Sequence, residues 1–378
     1  MGRCPPTTGR LTTVLELPEF PWDKLVPFQK EAMQHPGGMI DLSVGSPIDP
    51  VPAMVSEALN GAIDAHGYPQ TAGTTELRHA IIDWYARRRG VEGLTELNVM
   101  PSIGSKELVG TLALCLGIGP GDAIVQPELA YPTYAIGAAI VGAELITSDN
   151  PDDWPSNTKL VWLNSPGNPN GKVLSIAELT RAVARARELG AVIVNDECYI
   201  ELGWNGEVPT ILDKRVVGEN WSDVLSVYSL SKQSNLAGYR AAFIAGCKGR
   251  VQQVLGVRKH LGMIPPAPVQ AVMTRLLADD LHVQKQKEIY RSRRDILLRA
   301  LSGAGFRVDE SEAGLYLWSS ADEDCWVSVS RFAKHGILVT PGDFYGSKGS
   351  RHIRVSLTAP DDQISSIEQR LNEKVIHA

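Results

Sequence analysis

From about residue 98 to about residue 246, short apolar runs alternate with segments of helical period. Runs at 99–102, 123–126, 143–147, 159–163, 191–195, 224–228 and 241–245 predict seven strands, with a helix from Glu107 to Leu116 following the first. Strands separated in this way by helices build one mainly parallel sheet sandwiched between helical layers. Upstream, apolar positions at helical spacing predict helices over 52–65 (Val55, Leu59, Ala62, Ile63) and 74–89 (Leu77, Ile81, Trp84, Tyr85). The loop between them, 67–73, displays one tyrosine, Tyr68. Residues 1–40, broken by Pro18, Pro21 and Pro27, read as an arm packed on something else.

After residue 247 the alternation stops. A long amphipathic helix is expected over 280–302, with Ile289, Ile296, Leu297 and Leu301 as its apolar positions. Strands at 306–308, 315–318, 337–339 and 353–357, with helices near 325–335 and 360–374, then form a smaller α+β unit. The expected fold class is α/β. It comprises a large domain over 41–279 and a small α+β domain over 280–378, with 1–40 as an N-terminal arm and part of the small domain.

The charge balance narrows the partners. Lys and Arg total 37 against 43 Asp and Glu, a net charge of -6, which argues against nucleic-acid and membrane-surface binding and leaves small molecules. No run of about 18 apolar residues suggests a spanning helix, and Met1 to Leu17 has no apolar signal core. Five scattered cysteines without C-x-x-C spacing indicate neither a metal site nor a disulfide framework, so a reducing, cytoplasmic setting is expected.

The candidate chemistry centres on Ser229-Leu-Ser-Lys232-Gln-Ser-Asn-Leu-Ala-Gly-Tyr-Arg240. It sets one amine between two hydroxyls, with a guanidinium eight residues on, and so places a nucleophile beside an anion site. A lysine with a lowered pKa forms a Schiff base with an aldehyde, and hydroxyls with an arginine hold a phosphate dianion. Pyridoxal phosphate supplies both groups. Alone, the stretch reads rather as a surface lysine in a polar loop, and support for the cofactor reading has to come from elsewhere in the chain. Gly104-Ser105-Lys106, between a strand and a helix, reads as a phosphate cradle of backbone N–H groups or as an ordinary strand-to-helix turn. Asp196 ends an apolar strand and is either a helix cap or a poorly solvated acid in want of a cation, such as a protonated pyridine. Gly45, in Asp41-Leu-Ser-Val-Gly-Ser-Pro47, is a plain turn glycine or a point where a ligand approaches the backbone.

Taken together, these motifs resemble the fold-type I pyridoxal-phosphate enzymes, in the class I/II aminotransferase family, over nearly the whole chain from Gly45 to Arg354. The resemblance rests on order and spacing: Asn168, then Asp196 28 residues on, Tyr199 three further, then Ser229, Lys232 and Arg240. It implies that Lys232 bonds the cofactor and moves the proton, and that Asp196 keeps the pyridine nitrogen protonated. Asn168 and Tyr199 would bind the phenolate oxygen. Ser229, Arg240 and Gly104-Ser105-Lys106 would hold the phosphate, with Tyr131 stacked on the ring. Tyr68 would reach the cofactor phosphate of a neighbouring subunit, which implies a homodimer with shared sites. Arg354 would clamp the substrate α-carboxylate near Gly45, with Arg351 as its decoy on the opposite strand face. The chain departs from the family's usual Asn-Pro-x-Asn-Pro-Thr-Gly at Asn164-Ser-Pro-Gly-Asn168-Pro-Asn170-Gly171.

Within the family, segments such as Leu17-Pro-Glu-Phe-Pro-Trp-Asp23 and Glu312-Ala-Gly-Leu-Tyr-Leu-Trp318 are similar to the actinobacterial succinyldiaminopimelate aminotransferases. That resemblance implies transfer of an amino group from glutamate to N-succinyl-2-amino-6-oxopimelate, in lysine biosynthesis. Other class I aminotransferases (aspartate, aromatic or LL-diaminopimelate type) and a β-lyase of the same fold remain alternatives. A long polyanionic substrate needs a second cation, and Arg258, Lys259 and Lys24 are the candidates. A Ser-Lys acyl transferase would also use Ser-x-x-Lys, but in that family the motif comes first and is joined by Lys-Thr-Gly, which this chain lacks. A transcription regulator with an aminotransferase-like domain would need a basic DNA-binding domain ahead of it, and the arm leaves no room for one.

Overall fold

The structure, a computed structural model, describes residues 17–373; the first part of the expected arm and the last five residues lie outside them. In chain order the strands are β1 (Ile40–Asp41), β2 (Val99–Ile103), β3 (Ala123–Gln126), β4 (Glu144–Thr147), β5 (Thr158–Asn164), β6 (Val192–Asp196) and β7 (Val224–Ser229). They continue with β8 (Ala241–Gly246), β9 (Arg307–Asp309), β10 (Tyr316–Ser320), β11 (Ile337–Leu338), β12 (Thr340–Pro341) and β13 (Ile353–Ser356).

Seven of these strands form one sheet in the order β2-β8-β7-β6-β5-β3-β4. All pairings are parallel except those of β8, which runs antiparallel to both β2 and β7. Every residue of β6, β7 and β8 is buried, because helices cover both faces of a parallel sheet and such strands must be apolar on both sides. One core, with Trp84, Val161, Ile193 and Phe243, fills one face, and a second, with Leu112, Trp162, Val194 and Ile244, fills the other. The alternation of the sequence thus predicts all seven strands to within about two residues.

A four-stranded antiparallel sheet, β12-β13-β10-β9, carries the smaller unit, and its core gathers Leu317, Phe332, Ile353 and Ile367. Leu25, Ile40 and Leu42 belong to that same core. Phe20 stacks on Trp22, Trp22 meets Phe344 edge-on at 5.6 Å, and Phe28 stacks on Trp326, so the arm packs on the C-terminal elements. β1 pairs in parallel with β11, outside the large sheet.

The long helix spans Leu281–Gly303, but its buried stripe differs from the expected one. Ile289 is exposed, whereas His282, Gln286, Tyr290, Arg293, Leu297 and Leu301 face inward. The polar members are satisfied: Arg293 pairs with Asp49 at 2.5 Å and Asp361 at 2.6 Å, and Gln286 bonds Asp49 and Asn235, both at 2.8 Å. A reading of apolar period cannot find a stripe that is buried by its ion pairs.

Candidate active site

Three adjacent strands end at the carboxyl edge of the large sheet, where open α/β sheets bind ligands. In the register Asn164 lies opposite Asp196, and Asp196 opposite Val227, so the turn after β5, the acid on β6 and the end of β7 are neighbours. β7 finishes at Ser229, whose side chain caps the short helix Leu230–Gln233 by accepting from the Ser231 N–H at 3.2 Å. That cap sets Lys232 on the first helical turn. The Lys232 ammonium donates to the Gly45 carbonyl, which the chain brings from 187 residues upstream. Burial holds the lysine below its ordinary pKa, and the Arg354 and Arg240 guanidiniums push the same way.

Asp196 is 6 % exposed and anchored twice, by the Tyr134 hydroxyl at 3.0 Å and by the Cys198 N–H at 3.2 Å. Burial raises its pKa despite both donors. Tyr131 lies edge-on to Tyr134 at 5.9 Å, and burial pushes its phenol up to about 12. Gly104 starts the helix Ser105–Cys115 with φ +74°, a conformation that glycine adopts without strain. A Cβ on Gly104 would fall 2.1 Å from an Arg240 amine, so the guanidinium closes over the N-terminal turn of that helix.

The small unit completes the site. Arg354, on β13 and 3 % exposed, donates to Asn168 Oδ1 at 2.8 Å and to the Ser43 carbonyl at 2.6 Å, while its Nε finds no partner. Its guanidinium lies between two tyrosine rings, 3.9 Å from the centroid of Tyr316 and 4.9 Å from that of Tyr345. The Tyr316 and Tyr199 hydroxyls are 3.2 Å apart. Burial drives the Tyr199 phenol well above its ordinary pKa. Burial also acts to raise Tyr316, but the cations Arg354 and Lys232 outweigh it and the phenol titrates lower than usual.

The contacts therefore link Lys232, Gly45, Tyr199, Asn168 and Arg354 in one cluster, with Asp196 held beneath by Tyr134, and Arg240 against Gly104. Two sequence candidates stand apart from it in the single chain. Tyr68 is fully exposed, and the exposed Lys106 holds its ammonium 5.6 Å over the Phe20 ring. Arg351 is exposed and bonds the Asp322 carbonyl. Arg258 is not available to a substrate: it is completely buried in a two-pronged pair with Glu107, at 2.7 and 2.9 Å. Sequence reasoning missed Tyr134, Tyr316, Tyr345 and Cys198. Tyr316 lies inside Glu312-Ala-Gly-Leu-Tyr-Leu-Trp318, but no spacing signal tells a phenol at a site from a core phenol.

These residues fit pyridoxal phosphate. Asp196 is a buried acid whose protein partners are a phenol, a thiol and an N–H, so a pyridinium would supply the cation it lacks. The cradle at Gly104 meets a guanidinium, and Lys232 is kept readily deprotonated. Such a fold and site define a pyridoxal-phosphate enzyme. The chain belongs to the aminotransferase class I and II family, whose model matches residues 37–371.

Among its relatives, a 4-dedimethylamino-4-oxo-anhydrotetracycline transaminase of Streptomyces rimosus is 48% identical over 94% of this chain and 99% of its own length. A probable aminotransferase of Mycobacterium tuberculosis is also 48% identical, over 94% of this chain and 85% of its own. A solved structure of a probable N-succinyldiaminopimelate aminotransferase from Thermus thermophilus is 27% identical. It superposes with a TM-score of 0.84 over 93% of this chain and 99% of that one. Among the described residues no helix is long and apolar enough to cross a membrane.

Proposed function

We propose that the chain transfers an amino group from glutamate to N-succinyl-2-amino-6-oxopimelate, as a cytoplasmic homodimer working in lysine biosynthesis. The observation that carries the amino-transfer site is the meeting of Lys232 and Arg354 around Gly45 and Tyr316, one from each unit. In this reading 41–279 forms the cofactor domain and 280–378, with the arm, the small domain. The likeness to a probable N-succinyldiaminopimelate aminotransferase of Thermus thermophilus supports the acceptor, and the general likeness to aminotransferases supports the donor.

When bound, the cofactor supplies an electron sink that stabilises negative charge at the substrate α-carbon. The chain's residues do the rest. Lys232 holds the cofactor and afterwards carries a proton to and from the α-carbon, a task its lowered pKa suits. Asp196 stays anionic against the ring nitrogen, and Tyr134 and Cys198 keep it aimed. Asn168 and Tyr199 bind the ring oxygen, and Tyr131 covers the ring face. Ser229, Arg240 and the Gly104-Ser105-Lys106 turn take the phosphate, joined by the partner subunit's copy of Tyr68, whose full exposure in one chain suits a role across an interface. Arg354 grips the substrate α-carboxylate beside Gly45, with the fork geometry that a guanidinium offers.

A second reading, amination of a cyclic ketone, is favoured by the 48% identity to the Streptomyces rimosus transaminase. Absorbance changes of the cofactor on mixing with glutamate, N-succinyl-diaminopimelate, aspartate and aromatic amino acids test the first reading. Conversion by glutamate and by N-succinyl-diaminopimelate supports the first. Conversion by an aromatic amino acid and not by N-succinyl-diaminopimelate overturns it.

A further inference from the structure

Tyr316 stands where the two halves of the site meet, although no motif role attaches to it. On the β10–β13 pair, Tyr316 faces Ser356 and Trp318 faces Arg354, so Tyr316 and Arg354 are diagonal neighbours. The Arg354 guanidinium accordingly lies 3.9 Å from the Tyr316 ring centroid. The far end of the same side chain bonds Tyr199 at 3.2 Å. It also presses on Gly45, where a Cβ would stand 2.1 Å from the hydroxyl, and the Gly45 carbonyl is the acceptor for Lys232. At 4 % exposure Tyr316 has no freedom to leave these contacts.

Ring and hydroxyl thus have different neighbours. We propose that Tyr316 is a positioning residue with two separable actions: its ring fixes the plane in which Arg354 meets the substrate carboxylate, and its hydroxyl ties Tyr199 to the Lys232 side of the site. This rests on the roles of Arg354, Tyr199 and Lys232 given above. The charged and titratable groups facing the phenol are Arg354 from β13, Lys232, Tyr199, Cys198 and Tyr131 from the large unit, Tyr345 after β12, and Tyr290 from the long helix. Burial is outweighed by the first two, which lower the phenol; in return the phenol favours a proton on Lys232.

The test compares wild-type, Tyr316→Phe and Tyr316→Leu holoenzymes, titrated with glutarate, a dicarboxylate that cannot react, over a range of pH, with the cofactor's visible absorbance as the signal. Tyr316→Leu is expected to weaken glutarate by about tenfold, the size of a lost desolvated cation–π contact. Tyr316→Phe keeps glutarate affinity within about twofold yet moves the pH midpoint of the absorbance change down by at least about half a unit. Unchanged glutarate binding in Tyr316→Leu, or an unmoved midpoint in Tyr316→Phe, overturns the proposal while leaving the functional reading intact. Wild-type enzyme that binds no glutarate overturns both. If the leucine variant does not fold, Tyr316→Phe decides the hydroxyl's action, and Tyr316→Met, a flexible apolar side chain, replaces leucine in the same glutarate titration as the test of the ring's.

Discussion

Tyr134 gives its hydroxyl to Asp196 at 3.0 Å, at the end of a strand whose five residues are all buried. The carboxylate is therefore oriented before any cofactor arrives, and it is left with neutral partners at a cost that a pyridinium removes.

Asp196→Asn should consequently separate stability from function. Burial raises the Asp196 pKa, so the folded apoprotein keeps that proton to higher pH than the unfolded chain. Its stability falls as pH rises from about 3.9, the unfolded value, through the raised folded one. In the Asp196→Asn apoprotein that fall is absent, and the melting temperature at neutral pH is equal to or above wild type. Turnover drops on the order of 10²–10³-fold. A large loss of apoprotein stability in thermal melts would contradict this.

Lys232→Ala should abolish borohydride-dependent fixation of the cofactor, seen as loss of the mass increment on the peptide that carries residue 232. The lysine also shapes the pH profile of the apoprotein. Its folded pKa is lowered, so the unfolded chain binds the extra proton, and stability rises with pH from the folded value to about 10.4. Apoprotein melts of the alanine variant lack that rise.

Arg354→Lys keeps the charge but not the planar fork that spans Asn168 and Ser43. Steady-state assays should show kcat/KM for both amino donor and acceptor reduced on the order of a hundredfold, with the larger part in KM. Equal loss for only one of the two substrates would contradict a common carboxylate clamp.

Gly45→Ala places a Cβ 2.1 Å from the Tyr316 hydroxyl, so tyrosine and loop cannot both stay in place. The expected result is a cooperative thermal melt with KM raised by about tenfold or more, since a shift near 1 Å at a site of this kind is costly. Wild-type kinetics in this variant would show that the loop has room.

Arg258→Met is expected to act on stability instead of specificity. It removes the buried half of the pair with Glu107, itself only partly exposed, and should cost about 3 kcal/mol by denaturant unfolding. The ratio of kcat/KM values between acceptor substrates stays at wild type.

Much of the candidate site is legible in the sequence because Lys232, Asp196, Asn168 and Arg240 lie at strand ends or in Gly- and Ser-rich turns, where local pattern and chemistry coincide. The seven strands were legible for a related reason. A strand buried on both faces must be apolar along its length, and that constraint is written locally. Ile289 and Arg258 show the limit. An apolar residue at helical spacing proved exposed, and a charged one proved completely buried, because ion pairs across 151 residues and more override the one-dimensional pattern.

The sequence by itself determined the alternation that builds the large sheet, the order of the chemical residues and the lysine on which they converge. Only the tertiary structure decided which phenol holds Asp196, that the Gly45 carbonyl receives Lys232, and that Tyr316 lies between Arg354 and Tyr199. Three of those contacts join residues 62, 187 and 117 positions apart. The Tyr316–Arg354 contact follows from the β10–β13 register, and the others from how separate segments pack, relationships that no local spacing encodes.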